Sequence, residues 1–320
     1  MNRRFAILLV LAPLLLALCL AFGASGFGFP VLAWENEILW LRLTRVLAGF
    51  VTGAALAVAG VVLQAVLRNP LAEPYVLGVS SGAGLGAAAA ILGGLGALGA
   101  WPVPLAAFIG SVLSLTLVYG LANDHGRVPI YGLILSGVIM SAVASSLLMF
   151  MVTLAPIEGL HSVLWWMLGN LEVGSVQLLA VAATGMLAGC GAAWTLAPEL
   201  NALTLGTDMA HHLGVRTRLA VGGALICATL ITASAVALAG LIGFVGLIVP
   251  HALRAWLGPE HRRLIPAAAL GGGAFLAVCD ALARTVLAPV EIPVGVVTAL
   301  LGGPFFLLLL RRRRGGGWLE

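Results

Sequence analysis

The chain contains no lysine; sixteen arginines carry all of its basic side-chain charge. That absence excludes a P-loop ATPase, whose G-x-x-x-x-G-K-[ST] lysine holds the nucleotide phosphates. If ATP drives this protein, another polypeptide hydrolyses it. Charge of either sign is scarce. Only 9% of the residues are charged, where a soluble domain carries about 25%. No polar stretch is long enough for a soluble domain, so residues 1–320 read as one membrane domain. The four cysteines, Cys19, Cys190, Cys227 and Cys279, are far apart inside apolar runs. They read as small buried hydrophobes rather than metal ligands. His-Glu-x-x-His and clustered intramembrane carboxylates are missing, which disfavours a membrane-embedded enzyme. No cofactor or metal is expected in this chain.

Hydrophobic residues make up 61% of the chain and the mean hydropathy is +1.12. A hydrocarbon core about 30 Å thick requires about 20 apolar residues per helix. The apolar runs place ten spans at 5–22, 43–66, 75–97, 103–122, 130–153, 176–197, 219–238, 241–256, 265–287 and 292–310. The expected fold is all-α, a polytopic membrane protein in a lipid bilayer. The first run is expected to be a retained span rather than a cleaved signal peptide. Pro250 makes the short eighth span a candidate for a break or tilt.

Ten spans put both termini on one side. The ends on that side hold Arg3, Arg4, Arg68, Arg127, Arg216, Arg218, Arg254, Arg262, Arg263 and Arg311 to Arg314, thirteen in all, against Arg42, Arg45 and Arg284 opposite. Basic residues concentrate on cytoplasmic ends, so both termini are expected in the cytoplasm. The net charge of +4 follows from this sorting and does not suggest nucleic acid. Gly82, Gly84, Gly86 and Gly271 to Gly273 suit close helix crossings. Ala55 to Gly60 is echoed at Ala235 to Gly240, an offset of 180 residues. The echo fits either an internal repeat or chance among small residues.

Three segments carry most information. The first runs from Arg42-Leu-Thr-Arg45 to Arg68-Asn-Pro-Leu-Ala-Glu-Pro74, where Pro70 and Pro74 forbid a continuous helix. The second, 200–214, reads as a short amphipathic helix with Leu203, Leu205, Met209 and Leu213 spaced to form a face, and with Gly206 and Gly214 bracketing it. It suits docking to a soluble partner or lying on lipid headgroups. The third contains Gly243-Phe-Val-Gly-Leu-Ile-Val-Pro-His251, Asp280 with Arg284 one helical turn later, and Glu291-Ile-Pro-Val-Gly-Val-Val-Thr298. An intramembrane acid is a functional candidate. Asp280 and Glu291 would be the coupling groups of an ion-driven secondary transporter. Pairing of Asp280 with Arg284 is the simpler reading.

In series, RNPLAEPYVLG, LNALTLG…LGV, GFVGLIVPH and EIPVGVVTALLGGPFF resemble the permease subunit of ABC importers for cobalamin, haem and iron–siderophore complexes. The resemblance covers most of the chain from Arg42 to Arg311. It implies a transport subunit of a bacterial inner membrane rather than an enzyme. The implied partners are a second permease subunit, most simply an identical copy, two cytoplasmic ATPase subunits that hold ATP and Mg, and a substrate-binding protein. It further implies that Arg42, Arg45 and Arg284 dock the binding protein. The ATPase contact falls on Leu203, Leu205, Gly206, Asp208, His211, His212, Leu213 and Gly214. The translocation path includes Ser141, Ser145, Met149, Trp165 and Trp166. His211 and His212 are adjacent on a helix and point apart, which argues against metal binding. His161, beside the two tryptophans, reads as an interfacial residue or a transient ligand of haem iron.

Overall fold

A computed structural model describes residues 3–23, 26–27, 37–123 and 129–313; Arg127 and Arg314 lie outside them. Thirteen α-helices follow one another among the described residues. They are α1 (Arg3–Ala21), α2 (Glu37–Val66), α3 (Val79–Leu92), α4 (Pro102–Ala122), α5 (Ile130–Thr153), α6 (Ile157–Met167) and α7 (Val176–Thr195). Then come α8 (Ala197–Leu203), α9 (Thr207–His212), α10 (Thr217–Ala239), α11 (Val245–Leu257), α12 (His261–Thr285) and α13 (Val294–Arg313). A two-residue ladder pairs Phe22 with Phe27. Among the described residues seven helices are long and apolar enough to cross a membrane, and shorter apolar helices at Val79–Leu92, Val245–Leu257 and Val294–Leu308 match three further expected spans. This is a multi-pass helical membrane protein.

The third span is shorter than 75–97 because Pro74 and the left-handed Gly78, at φ +78°, delay its start. The eighth begins at Val245 because Gly240 and Phe244 both adopt positive φ, +71° and +69°. Pro250 does not break α11. It does leave the Gly246 carbonyl without its i+4 donor, and Gln64 Nε2 donates to that carbonyl instead at 3.2 Å.

Buried α2 is the hub, packed by α7, α10, α11 and α12. Its contact with α12 is made backbone to backbone. A Cβ on Gly53 would overlap the Gly272 carbonyl, and one on Gly272 would overlap that of Gly53. Gly82 and Gly110 make the same reciprocal approach between α3 and α4. Gly84 and Gly271 instead face the side chains of Leu148 and Leu253. The Ala55–Gly60 echo occupies unlike settings. Gly60 is mid-helix against Gly246, whereas Gly240 terminates α10. One apolar face of α5 stays open, with Val138, Ile139, Met149 and Phe150 all more than half exposed.

The two arginine classes separate in space. Arg4 Nη1 donates to the Trp256 carbonyl, and Trp194 Nε1 donates to the Arg262 carbonyl at 3.0 Å. Those contacts gather the starts of α1 and α12 with the ends of α7 and α11 into an arginine-rich end. Arg42, Arg45 and Arg284 lie together at the other.

Candidate functional site

At the arginine-poor end, four charges form a chain that runs from the interior to the rim. Asp280 is fully buried, and its two carboxylate oxygens are held by different arginines. Arg284 Nε reaches Oδ2 at 2.8 Å and Arg45 Nε reaches Oδ1 at 3.0 Å. Arg45 then clasps Glu291 with both terminal nitrogens, at 3.2 and 2.8 Å. Side-chain exposure rises along the series, from 0% at Asp280 and 4% at Arg284 to 16% at Arg45 and 37% at Glu291. Two positive and two negative groups cancel, and hydrogen bonds fix their geometry, as buried ions require. The network ties α2 to α12 and to the segment entering α13.

This arrangement bears out the Asp280–Arg284 pair. Nothing in it supports an ion-coupled transporter, because both oxygens of Asp280 are already engaged. It also changes the picture of the three arginines as outward-facing groups. Arg284 lies inside and additionally donates to the Phe22 carbonyl at 3.3 Å. Arg42, 7% exposed, donates to the Leu20 and Ala21 carbonyls at 3.1 and 3.4 Å. It thereby satisfies the open C-terminal turn of α1. Arg45 alone of the three approaches the rim.

At the arginine-rich end, the expected single amphipathic helix is two short helices. Gly206, at φ +112°, separates α8 from α9, and Gly214, at φ +84°, ends the unit. The break splits the expected face. Leu203 is buried, whereas Leu205, Met209 and Leu213 are 65%, 52% and 60% exposed. The result is an outward apolar knob flanked by exposed Asp208, His211 and His212. The two histidine rings are 6.3 Å apart and tilted by 53°. Among the described residues no cluster suited to a metal ion occurs. Below the knob, Asn201 of α8 is fastened to α12. Its Oδ1 accepts from the His261 backbone N–H at 3.0 Å and lies 2.6 Å from His261 Nδ1.

The expected path residues fall in two places. Ser141, Ser145 and Met149 follow one another at single-turn spacing on α5, and Ser145 and Met149 are exposed. Trp165 and Trp166 belong to α6 and line a cavity of about 520 Å³ shared with His161, Asn170 and Glu172. His161 stacks on Trp165, with ring centroids 6.0 Å apart. The α5 residues do not line that cavity.

Sequence reasoning missed a latch inside the protein. Tyr75 Oη both accepts from Ile242 N–H and donates to the Ile242 carbonyl, each at 2.9 Å. The Glu73 carboxylate accepts from the Phe244 N–H. Together they hold the 67–78 turn against the break before α11. The RNPLAEPY motif signalled a turn, but nothing in the sequence showed what it would touch.

The FecCD transport family matches residues 7–312. The chain belongs to that family. A cobalamin import system permease protein of Halobacterium salinarum is 41% identical over 90% of this chain and 77% of its own length. A hemin transport system permease protein of Yersinia pestis is 38% identical over 95% of this chain and 96% of its own. Among solved structures, an inward-facing conformation of a metal-chelate type ABC transporter superposes with a TM-score of 0.85. It is 29% identical and covers 96% of this chain and 98% of its own. This FecCD protein is accordingly a transport permease, and the α8–α9 unit and the four-charge network are features of a permease.

Proposed function

We propose that this permease serves an ATP-driven importer of a cobalamin, a haem or another metal chelate. Two copies form the pathway, two cytoplasmic ATPase subunits bind ATP and Mg, and a substrate-binding protein delivers cargo. The observation that carries the reading is the likeness along almost the whole chain to a metal-chelate type ABC transporter, at a TM-score of 0.85. The relatives named for cobalamin and hemin point to the same cargo class.

The residue roles follow from that reading. The arginine-rich end faces the cytoplasm of a bacterial cell, in keeping with the positive-inside bias. There the knob of Leu205, Met209 and Leu213, with Asp208, His211 and His212 beside it, grips an ATPase. Buried Leu203 and the bends at Gly206 and Gly214 position it. At the outer end Arg45 is the group in reach of a docking protein, and Arg42 and Arg284 shape its surroundings. Ser141, Ser145 and Met149 border the pathway between two copies, and Trp165 and Trp166 border its outer approach.

The test is ATPase stimulation in nanodiscs that hold the permease with its ATPase subunits. Cargo-loaded binding protein is expected to raise hydrolysis above the rate with buffer alone. An unchanged rate, with all three components shown to assemble, contradicts the proposal.

A further inference from the structure

We infer that Glu199 is the seat for a basic side chain, lysine or arginine, of the ATPase subunit; this rests on the reading of α8–α9 as the ATPase contact. Glu199 is in the first turn of α8. It stands on the wall between two cavities of about 410 and 400 Å³, both of which it lines together with Leu213 and Val215. Its Oε2 is shielded from solvent and has no hydrogen-bond partner among the described residues. A shielded carboxylate oxygen without a donor is costly. An incoming donor removes that cost.

The other described acids at this end differ from Glu199. Glu73 is taken by the Phe244 N–H. Glu260 caps α12 through the Arg262 N–H at 2.8 Å and approaches Arg263 at 3.8 Å. Asp208 is exposed to solvent at the start of α9, where a carboxylate is favoured without any partner. Arg216 lines one of the two cavities yet makes no ion pair with Glu199 among the described residues. Glu199 is left as a half-buried acid, with one oxygen shielded and unpartnered among the described residues, in an arginine-rich surface.

The surroundings define the occupant. Leu205 and Leu213 present exposed apolar surface at the cavity mouths. An apolar rim above a carboxylate fits a side chain with an aliphatic stem and a cationic tip. The seat also sets register. Most of this end repels cations, so a basic group on the partner is tolerated at Glu199 and opposed at the surrounding arginines.

Binding of the purified ATPase to the permease in nanodiscs tests the inference. Glu199→Arg is expected to weaken binding about tenfold or more, as when one partner of a shielded charge pair is lost. Glu199→Gln, which keeps the shape, is expected to weaken it severalfold. A Lys→Glu or Arg→Glu substitution on the ATPase surface is expected to restore binding to Glu199→Arg alone. The double variant Leu205→Asp, Leu213→Asp separates this inference from its premise. If that variant abolishes binding while both Glu199 variants bind like the wild type, the seat is wrong and the ATPase contact stands. If the double variant also binds normally, the contact itself is misplaced and the seat falls with it.

Discussion

One oxygen of Asn201 holds two atoms of His261. The backbone N–H of His261 donates to Asn201 Oδ1 at 3.0 Å, and its ring Nδ1 lies 2.6 Å from the same oxygen. Because Oδ1 already accepts from the backbone, it is the acceptor in the second contact too, and Nδ1 carries the proton. The pair fixes the start of α12 to the helix that carries the exposed apolar knob. It ties α8, only 7 residues long, to α12.

Asn201→Ala removes both acceptor contacts and leaves a buried ring nitrogen without a partner. A loss of about 1–3 kcal/mol is expected for such a group, read as a lower unfolding midpoint in detergent. Asn201→Asp retains the acceptor and is expected to lose less. Equal midpoints for the alanine variant and the wild type would show that the contact contributes nothing.

Asp280 is expected to behave as a structural ion. Asp280→Asn weakens its hold on two arginines, and Asp280→Ala leaves them facing no carboxylate inside the protein. Removing one member of a buried ion pair costs about 3–5 kcal/mol, so a sharp fall in the yield of monodisperse protein is expected. Asp280→Leu combined with Arg284→Met is expected to recover part of it. Normal folding of Asp280→Ala with selective loss of transport would favour an ion-coupling role instead.

Gln64 and Pro250 are expected to be thermodynamically coupled. Gln64→Leu strips the Gly246 carbonyl of the donor that replaces the missing Pro250 N–H. A cost of about 1–3 kcal/mol is expected in the native background. In a Pro250→Ala background the helix supplies its own N–H to that carbonyl, and the same substitution is expected to cost less. Additive effects in this double-mutant cycle would deny the link.

Gly272→Ala forces α2 and α12 apart, because the added methyl meets the Gly53 carbonyl rather than a movable side chain. Overpacking of this kind costs about 1–3 kcal/mol. Gly303, with open space where an added methyl would stand, is the matched control, and its alanine variant is expected to melt like the wild type.

Much of this was legible in the sequence. Apolar run length and the spacing of arginines located the spans, since a bilayer imposes both. Gly82, Gly86, Gly272 and Gly273 were recognisable as crossings because close helix approach demands small residues. The Asp280–Arg284 pair was readable from its one-turn spacing. The second contact of Asp280, from Arg45, was not, because it joins residues 235 positions apart. In the 200–214 segment Gly206 and Gly214 were legible as brackets, and they bound α9, but α8 as a separate helix before Gly206 was not, because apolar periodicity continues through that glycine. The positive φ at Gly206 separates buried Leu203 from exposed Leu205, Met209 and Leu213. Asn201, Gln64 and Tyr75 carry no local signal for their partners, which are backbone atoms and, for Asn201, also the His261 ring, all set by tertiary packing.

Uptake into liposomes tests the central claim most directly. Vesicles containing this permease and its ATPase, with ATP supplied to the ATPase side and cargo-loaded binding protein on the other, are expected to accumulate or release cargo only while ATP is hydrolysed. Equal transport by the permease alone, without any ATPase, would contradict the account.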